Sequence, residues 1–309
     1  LDAALTHFAH VNHRPDTDPR FTPIVDDGRN FLLTHDRRYD VIISEPSNPW
    51  MSGASSLFTQ DFWRIAQGRL ADDGVFLQWL QLYELSAENV EALFATFRSV
   101  FPEVVVFSPS PRSNDTLVLG SRRPISLDRA KLARAFADAK LGAELLRAEV
   151  STPEDFVGLM LQGSRDVADI VKAGRINTDD NALIEFGAPL DLLEYADKEA
   201  RHKILENIDG RRLEVAPAHF RGFDFDDPRT LTTLGERLVR QGRLTDATHA
   251  IDRVSTATRS PGARLAARVA RVRAIVERFE EPDSEAVVID LPETRDDEVY
   301  ARAVSAMLR

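Results

Sequence analysis

A run of apolar residues that ends in a carboxylate is the first chemical feature of the chain. Residues 41–43 (Val-Ile-Ile) are apolar β-formers, Glu45 follows almost at once, and Asn48 lies between two prolines. This pattern predicts a buried parallel strand that carries an acidic and an amide side chain at its carboxyl end. In open α/β sheets, ligands bind in the crevice beyond that end.

The segment just upstream repeats the pattern. We expect a strand at Phe21–Val25, followed by Asp26, Asp27 and Gly28. The carboxyl ends of parallel strands meet at one edge of a sheet, so two strands that end in carboxylates would form an acidic pocket there. The occupants expected of such a pocket are polar and positively charged.

The overall charge agrees with a cationic ligand. The chain has 39 Lys and Arg against 50 Asp and Glu, a formal net charge of −11, and no cysteine. This balance argues against nucleic acid as the partner, and the lack of cysteine excludes disulfides and thiolate chemistry. No apolar run approaches the roughly 20 residues of a membrane-spanning helix. His7, His10 and His13 lack an accompanying carboxylate cluster, so we interpret them as a solvated helix face and expect no metal.

Short apolar runs alternate with helical patterns over the first 125 residues, which predicts a doubly wound parallel sheet of the α/β class. The predicted strands are Phe21–Val25, Val41–Ser44, Val75–Trp79, Val104–Phe107 and Thr116–Gly120. The predicted helices are Leu57–Leu70 and Ala87–Phe101, the second capped by Ser86. The last two strands are typical of a hairpin, which would give the sheet an antiparallel edge.

The composition changes after Ser126. Leu127–Val150 has helical spacing, and Thr152 before a proline predicts the start of another helix. We expect Asn177–Phe186 to be a polar loop that leads into an apolar strand or turn. Further on, LTTLGERLVRQGRLTDATHAI predicts a helix, a turn and a second helix, which resembles one tetratricopeptide repeat.

Four motifs, in this order, carry a family resemblance: IVDDGRNFL (24–32), YDVIISEPSNPW (39–50), SSLFTQDFW (55–63) and GVFLQWLQLYEL (74–85). Together they resemble the polyamine aminopropyltransferase (spermidine synthase) family. They are most similar to the bacterial branch in which this domain is fused to a membrane-embedded segment. NTDDNALIEF (177–186) continues the resemblance more weakly.

The resemblance implies a Rossmann-like methyltransferase fold that uses decarboxylated S-adenosylmethionine as co-substrate. No GxGxxG occurs, so we interpret the chain as lacking the first strands of that fold. We expect a spermidine synthase-like Rossmann domain at 1–125, a family-specific α/β extension at 126–225 and a tetratricopeptide-like α-helical tail at 226–309. The expected location is cytoplasmic. A homodimer, and a membrane segment before Leu1 that tethers the parent protein to the inner membrane, are compatible with the resemblance.

By position, the resemblance gives Glu45 and Asn48 the catalytic places, where relatives carry aspartates. Glu45 would be the base or the group that orients the amine, and Asn48 would help to hold the amine. Both depart from the family pattern, because Glu adds a methylene and Asn cannot accept a proton. Asp27 and Gly28 match the family's adenine-contacting pair, with Asp26 beside them in the cofactor site; an Asx-type turn is the alternative.

The residues expected to line the amine pocket follow the next strand: Gln78, Trp79, Gln81 and Tyr83. Trp79 stands where many relatives carry glutamine, and core packing explains it equally well. Asp179 and Asp180 could meet the far ammonium group of a polyamine; capping of a helix or turn is the alternative.

Three functions stay open on the sequence alone. The first is transfer of an aminopropyl group from decarboxylated S-adenosylmethionine to a di- or polyamine. The second is an S-adenosylmethionine-dependent methyltransferase of the same fold, because residues 47–50 (SNPW) faintly resemble the (Asp/Asn)-Pro-Pro-aromatic motif of such enzymes. The third is a non-catalytic polyamine-binding module.

Overall fold

The chain divides between Arg37 and Arg38 into two units, Leu1–Arg37 and Arg38–Arg309. The structure is a computed structural model and describes residues 2–51, 53–82, 84–108, 115–171, 174–194, 219–240 and 243–257.

The smaller unit consists of short helices joined by extended chain. Its elements are α1 (Asp2–His7), a 3-10 turn (Pro15–Thr17) and α2 (Gly28–Thr34). None of its described residues is buried, and Val25 is 95% exposed. The strand predicted at Phe21–Val25 is wrong, because this segment has no strand conformation and pairs with none of the described strands. A strand needs a partner for its backbone N–H and C=O groups, and an apolar run alone does not supply one.

The larger unit is built on a five-stranded mixed sheet of order β1-β2-β4-β3-β6. All strands of the described chain are β1 (Tyr39–Ser44), β2 (Leu70–Gln81), β3 (Glu103–Phe107), β4 (Asp115–Ser121), β5 (Leu127–Asp128), β6 (Met160–Gln162) and β7 (Phe220–Arg221). β1 and β2 pair in parallel, and β4 runs antiparallel to both of its neighbours, β2 and β3. β6 is antiparallel to β3, and β5 and β7 form a separate parallel pair.

The larger unit also contains the helices that connect and follow these strands. The helices of the larger unit are α3 (Gln60–Gly68), α4 (Ala87–Val100), α5 (Arg129–Ala137), α6 (Ala139–Arg147), α7 (Pro153–Gly158), α8 (Ser164–Ile170), α9 (Leu183–Glu194), α10 (Pro228–Arg240) and α11 (Leu244–Ala257). A 3-10 turn at Ser55–Phe58 precedes α3. Among the described residues, no helix is both long and apolar enough to cross a membrane.

The predicted α/β fold class is confirmed: the unit has a mixed sheet in which β1, β2 and β3 run in the same direction. Two details differ from the sequence-based expectation. The antiparallel strand β4 lies inside the sheet rather than at its edge. The strand that precedes Glu45 is not buried, since β1 pairs only with β2 among the described strands and leaves Val41 and Ile43 57% and 65% exposed.

Aromatic side chains fill the face of the sheet that α3 and α4 cover. Trp63, Phe76, Phe97 and Phe101 are at most 2% exposed. The Phe97 ring lies 4.7 Å from that of Phe101 and 5.0 Å from that of Trp63. Each such side chain contributes roughly 1.5–3 kcal/mol by leaving water. This cluster fixes α3 against β2, and the loop that leads from β1 into α3 therefore has a rigid end.

The predicted helix starts at Ser86 and Thr152 are confirmed. The Ser86 hydroxyl accepts from the Asn89 N–H of α4, and the Thr152 hydroxyl accepts from the Asp155 N–H of α7. The expected strand or turn at the end of Asn177–Phe186 is instead the start of α9 at Leu183.

The two helices predicted for LTTLGERLVRQGRLTDATHAI are confirmed as α10 and α11. A buried ion pair joins Arg243 to Asp246 at 2.6 Å, and Arg243 Nη1 also donates to the carbonyls of Gly158 and Met160. Burial lowers the pKa of Arg243, and Asp246 opposes that shift. The pair therefore attaches the helical hairpin to α7 and β6. The rest of the predicted tail, residues 258–309, lies outside the described residues.

Candidate functional site

Glu45 lies immediately after β1 and is exposed. The parallel register pairs Ser44, the last residue of β1, with Gln78 of β2, so Glu45 follows directly on the paired part of the strand. Within the described part of Arg38–Arg309, Glu45 makes no hydrogen bond or ion pair. Its carboxylate can therefore accept a proton or hold a cation.

The segment that we call the Glu45 loop, residues 45–58, is a series of tight turns. The Asn48 carbonyl accepts from the Met51 N–H at 3.0 Å, and the Met51 carbonyl accepts from the Ser55 N–H at 3.1 Å. Pro49 is buried, and Asn48 is half-buried. The backbone of Asn48 is thus linked, through Met51, to the 3-10 turn that begins at Ser55.

The residues predicted to line the amine pocket differ in their surroundings. Gln78 is 1% exposed: its Oε1 accepts from Trp63 Nε1 at 3.1 Å, and its Nε2 donates to the Trp79 carbonyl at 3.0 Å. It joins α3 to the sheet within the core. Trp79 is half-buried on the opposite face of β2. Tyr83 lies outside the described residues.

Gln81, the last residue of β2, is completely buried, yet neither its Oε1 nor its Nε2 has a hydrogen-bond partner among the described residues. Leaving a buried polar group unpaired costs roughly 1–3 kcal/mol. Such a cost is typical of positions that are kept for a purpose other than stability. Gln81 lies at the same end of the sheet as Glu45.

The two aspartates of the NTDDN motif differ in their hydrogen bonds. The Asp179 Oδ1 accepts from the Thr59 hydroxyl at 2.8 Å, and the Asp179 N–H donates to Asp61 Oδ2 at 2.9 Å. Asp179 is therefore part of the junction between the Glu45 loop and α3. Asp180 is exposed. Whether either carboxylate meets an amine stays a prediction.

Two residues of the same motif region were missed by the sequence analysis. Asn177 is 1% exposed, and its Nδ2 donates to the Phe58 carbonyl at 3.0 Å. Glu185 Oε2 accepts from the Ser55 hydroxyl at 3.0 Å. Asn177 and Phe58 are separated by 119 positions in the sequence, and Glu185 and Ser55 by 130. No local pattern predicts such contacts, so the only signal in the sequence was the position of Asn177 and Glu185 in a motif that resembles the family.

The predicted cofactor residues belong to the smaller unit. Asp27 caps α2, with its Oδ1 accepting from the Asn30 N–H at 2.7 Å. Asp26 Oδ1 accepts from the Asp27 N–H at 2.8 Å. A Cβ added to Gly28 would have open space around it, so packing within the structure does not require glycine there. That these residues contact adenine, and that they share a pocket with Glu45, stay predictions.

The described residues do not provide a set of side chains that could ligate a metal ion. Among the described residues, no group of three or more His, Asp or Glu side chains could hold a metal ion. The functional groups brought together around the Glu45 loop are carboxylates, amides and hydroxyls. Such groups accept protons and bind ammonium.

Comparisons with known proteins show what the first part of the chain is similar to. Residues 4–111 match the spermine/spermidine synthase domain. The polyamine aminopropyltransferase of Pectobacterium atrosepticum is 37% identical over 82 residues, 25% of this chain and 28% of that protein. The one from Thermococcus onnurineus is 36% identical over 92 residues, 29% of this chain and 32% of the relative. The one from Korarchaeum cryptofilum is 24% identical over 147 residues, 46% of each chain.

A solved structure, described as a probable spermidine synthase from Corynebacterium glutamicum, is also similar to this chain. It shares 15% sequence identity, with a TM-score of 0.35, over 50% of this chain and 53% of that one.

The domain match and the relatives, which are named as transferases, support a transferase. The match of residues 4–111 to the spermine/spermidine synthase domain, together with the relatives named polyamine aminopropyltransferase, confirms the resemblance drawn from the motifs. The chain spans less than half the length of the curated relatives named above.

Proposed function

We propose that the protein containing this chain transfers an aminopropyl group from decarboxylated S-adenosylmethionine to a di- or polyamine. The observation that carries the proposal is the exposed Glu45 carboxylate at the carboxyl end of β1, within the stretch that matches the family. The acidic balance of the chain, with a net charge of −11, also suits a cationic acceptor.

The reaction is a displacement at a carbon attached to a sulfonium. A primary amine has a pKa of about 10 and is mostly protonated near neutral pH, so it must first lose a proton. The nitrogen lone pair then forms a bond to the propyl carbon while the carbon–sulfur bond breaks. The electron pair of that bond stays on sulfur, and the leaving group is methylthioadenosine. The proton lost by the amine passes to a carboxylate and then to water.

Glu45 is the residue that we assign to the proton and to the orientation of the amine. Its carboxylate is exposed and without a partner in the described part of its unit, so it can accept a hydrogen bond from the attacking nitrogen. A positioned base typically contributes a factor of about 10²–10⁴ to the rate. Asn48 cannot take the proton, but its side-chain oxygen can accept a second N–H of the amine.

Trp79 and Asp180 are the groups that we assign to the rest of the amine. Trp79 is half-buried and follows Gln78, which pairs with Ser44 beside Glu45, and an aromatic face beside an ammonium contributes roughly 0.5–2 kcal/mol. Asp180 has an exposed carboxylate that could pair with the far ammonium. Asp26, Asp27 and Gly28 keep their predicted place at the adenine of the co-substrate.

Product identity tests the proposal. The full-length protein is supplied with decarboxylated or ordinary S-adenosylmethionine, each with putrescine or spermidine, and methylthioadenosine and S-adenosylhomocysteine are measured. We expect methylthioadenosine, formed only with the decarboxylated co-substrate and an amine. S-adenosylhomocysteine would indicate a methyltransferase instead. Amine binding by calorimetry, with neither product, would indicate a polyamine-binding module and would also overturn the proposal.

A further inference from the structure

The segment Asn177–Glu185, which we call the clamp segment, contacts the Glu45 loop at its far end. Asn177 Nδ2 donates to the Phe58 carbonyl at 3.0 Å, and the Asn177 carbonyl accepts from the Gln60 N–H at 2.9 Å. Asn177 is itself fixed from behind, since its N–H donates to Thr96 Oγ1 of α4 at 2.8 Å. The clamp segment thus connects the end of the Glu45 loop to a helix of the aromatic core.

Two carboxylates of the clamp segment hold hydroxyl groups of the loop and of the cap that follows it. Glu185 Oε2 accepts from the Ser55 hydroxyl at 3.0 Å, and Asp179 Oδ1 accepts from the Thr59 hydroxyl at 2.8 Å. Ser55 and Thr59 are each 4% exposed, so water reaches their hydroxyls poorly, whereas Glu185 is half-buried and Asp179 is exposed. Hydrogen bonds to a charged acceptor contribute roughly 1.5–3 kcal/mol each.

A continuous path of hydrogen bonds leads from Glu185 to Asn48. The Ser55 side chain is held by Glu185, the Ser55 N–H donates to the Met51 carbonyl, and the Met51 N–H donates to the Asn48 carbonyl. Asn48 and Glu45 lie on the stretch between this anchor and the end of β1. Both ends of the stretch are therefore fixed, one by the sheet and the other by the clamp segment.

We propose that Glu185 and Asp179 are positioning residues for the Glu45 loop, and that they set the place of Glu45 and Asn48 without touching the amine. This inference rests on the proposed function as far as activity is concerned. It changes the role of Asp179 from the amine contact expected from its motif to a support of the loop. A displacement of about 1 Å in a reacting group can lower the rate about 100-fold. Residues that hold the Glu45 loop in place would therefore affect the rate without contacting the substrate.

Paired substitutions separate support from amine binding. Glu185→Gln and Asp179→Asn keep an oxygen that accepts from Ser55 or Thr59 but remove the charge that an ammonium would need. We expect both variants to keep kcat and the KM for the amine within about threefold. Glu185→Ala should lower kcat by about 10- to 100-fold with little change in that KM. Ser55→Ala should have the same effect as Glu185→Ala, and the double variant should lose no more than either single variant.

The opposite pattern would overturn the proposal. If Glu185→Gln or Asp179→Asn is as impaired as the alanine variant, and the loss lies in the KM for the amine, these carboxylates bind substrate. Glu88→Gln and Asp72→Asn are matched controls, since both residues are exposed and make no hydrogen bond or ion pair with a described residue. Thermal unfolding of each variant shows whether it folds.

Hydrogen exchange tests the same inference independently of catalysis. In full-length protein without substrate, Glu185→Ala and Ser55→Ala should speed amide exchange at Met51 and Ser55 by at least about tenfold, whereas Glu185→Gln should not. Unchanged exchange in Ser55→Ala would overturn the positioning role even if the protein proves to be a methyltransferase or a binding module. Faster exchange with no aminopropyl transfer would overturn the proposed function alone.

Discussion

Two glutamines on β2, three residues apart, should respond in opposite directions to the same substitution. Gln81 is completely buried, and neither amide atom has a partner in the part of the chain that the structure describes, whereas Gln78 is 1% exposed with both amide atoms paired. Methionine has a similar linear shape and no strong hydrogen-bonding group. We therefore expect Gln81→Met to raise, and Gln78→Met to lower, the free energy of unfolding.

The magnitudes follow from the hydrogen bonds. Gln81→Met removes two buried polar groups that have no partner among the described residues, and with imperfect packing of the new side chain the expected gain is about 1–3 kcal/mol. Gln78→Met leaves the buried Trp63 Nε1–H without its acceptor, which should cost about 1–3 kcal/mol. Urea unfolding of the two variants and the wild type, followed by tryptophan fluorescence, measures both differences at once.

A loss of stability in Gln81→Met would refute this reasoning, because it would mean that the amide has a partner that stabilises the fold. Equal and small effects of both substitutions would also contradict it. The KM for the amine gives a second result from the same protein samples. If Gln81 lines the amine pocket, as its position after Trp79 predicts, the more stable variant should bind the amine more weakly.

Two further predictions concern the larger unit away from the site. Arg243→Met leaves the buried Asp246 carboxylate without its cation, which should cost about 3–5 kcal/mol; urea unfolding measured by circular dichroism checks this, and adding Asp246→Leu should restore much of the loss. Two backbone N–H groups at the start of α6 hold the pKa of Asp138 below its ordinary value of 3.8. An aspartate of the unfolded chain takes up its proton near pH 3.9. The stabilisation from this cap should therefore be fully present above about pH 4. It should decrease as the pH falls through the lower pKa that Asp138 has in the folded state. Acid titration followed by circular dichroism should show this loss in the wild type, and Asp138→Asn should reduce it; the same pH dependence in both proteins would contradict the assignment.

The features that could be predicted from the sequence are those that depend on near neighbours. Ser86 and Thr152 begin helices because their hydroxyls accept from N–H groups three residues ahead. The runs around Val41, Val75 and Val104 form strands because apolar β-formers continue for several residues between polar turns. These signals also placed Glu45 directly after a strand.

The features that could not be predicted depend on distant partners. The apolar run Phe21–Val25 has the composition of a strand, but a strand also needs a neighbour, and periodicity does not identify one. The central place of β4 follows from its pairing with both β2 and β3. The contact of Asp179 with Thr59 joins residues 120 positions apart, so the motif identified the residue without showing its contact.

The most direct test of the central claim is the rate of methylthioadenosine formation by Glu45→Gln in the full-length protein, at saturating amine and decarboxylated S-adenosylmethionine. Glu88→Gln, another exposed glutamate, is the control. The proposed role of Glu45 predicts a fall in kcat of at least about 100-fold for Glu45→Gln and no change for the control. A Glu45→Gln enzyme that forms methylthioadenosine at the rate of the wild type would contradict it.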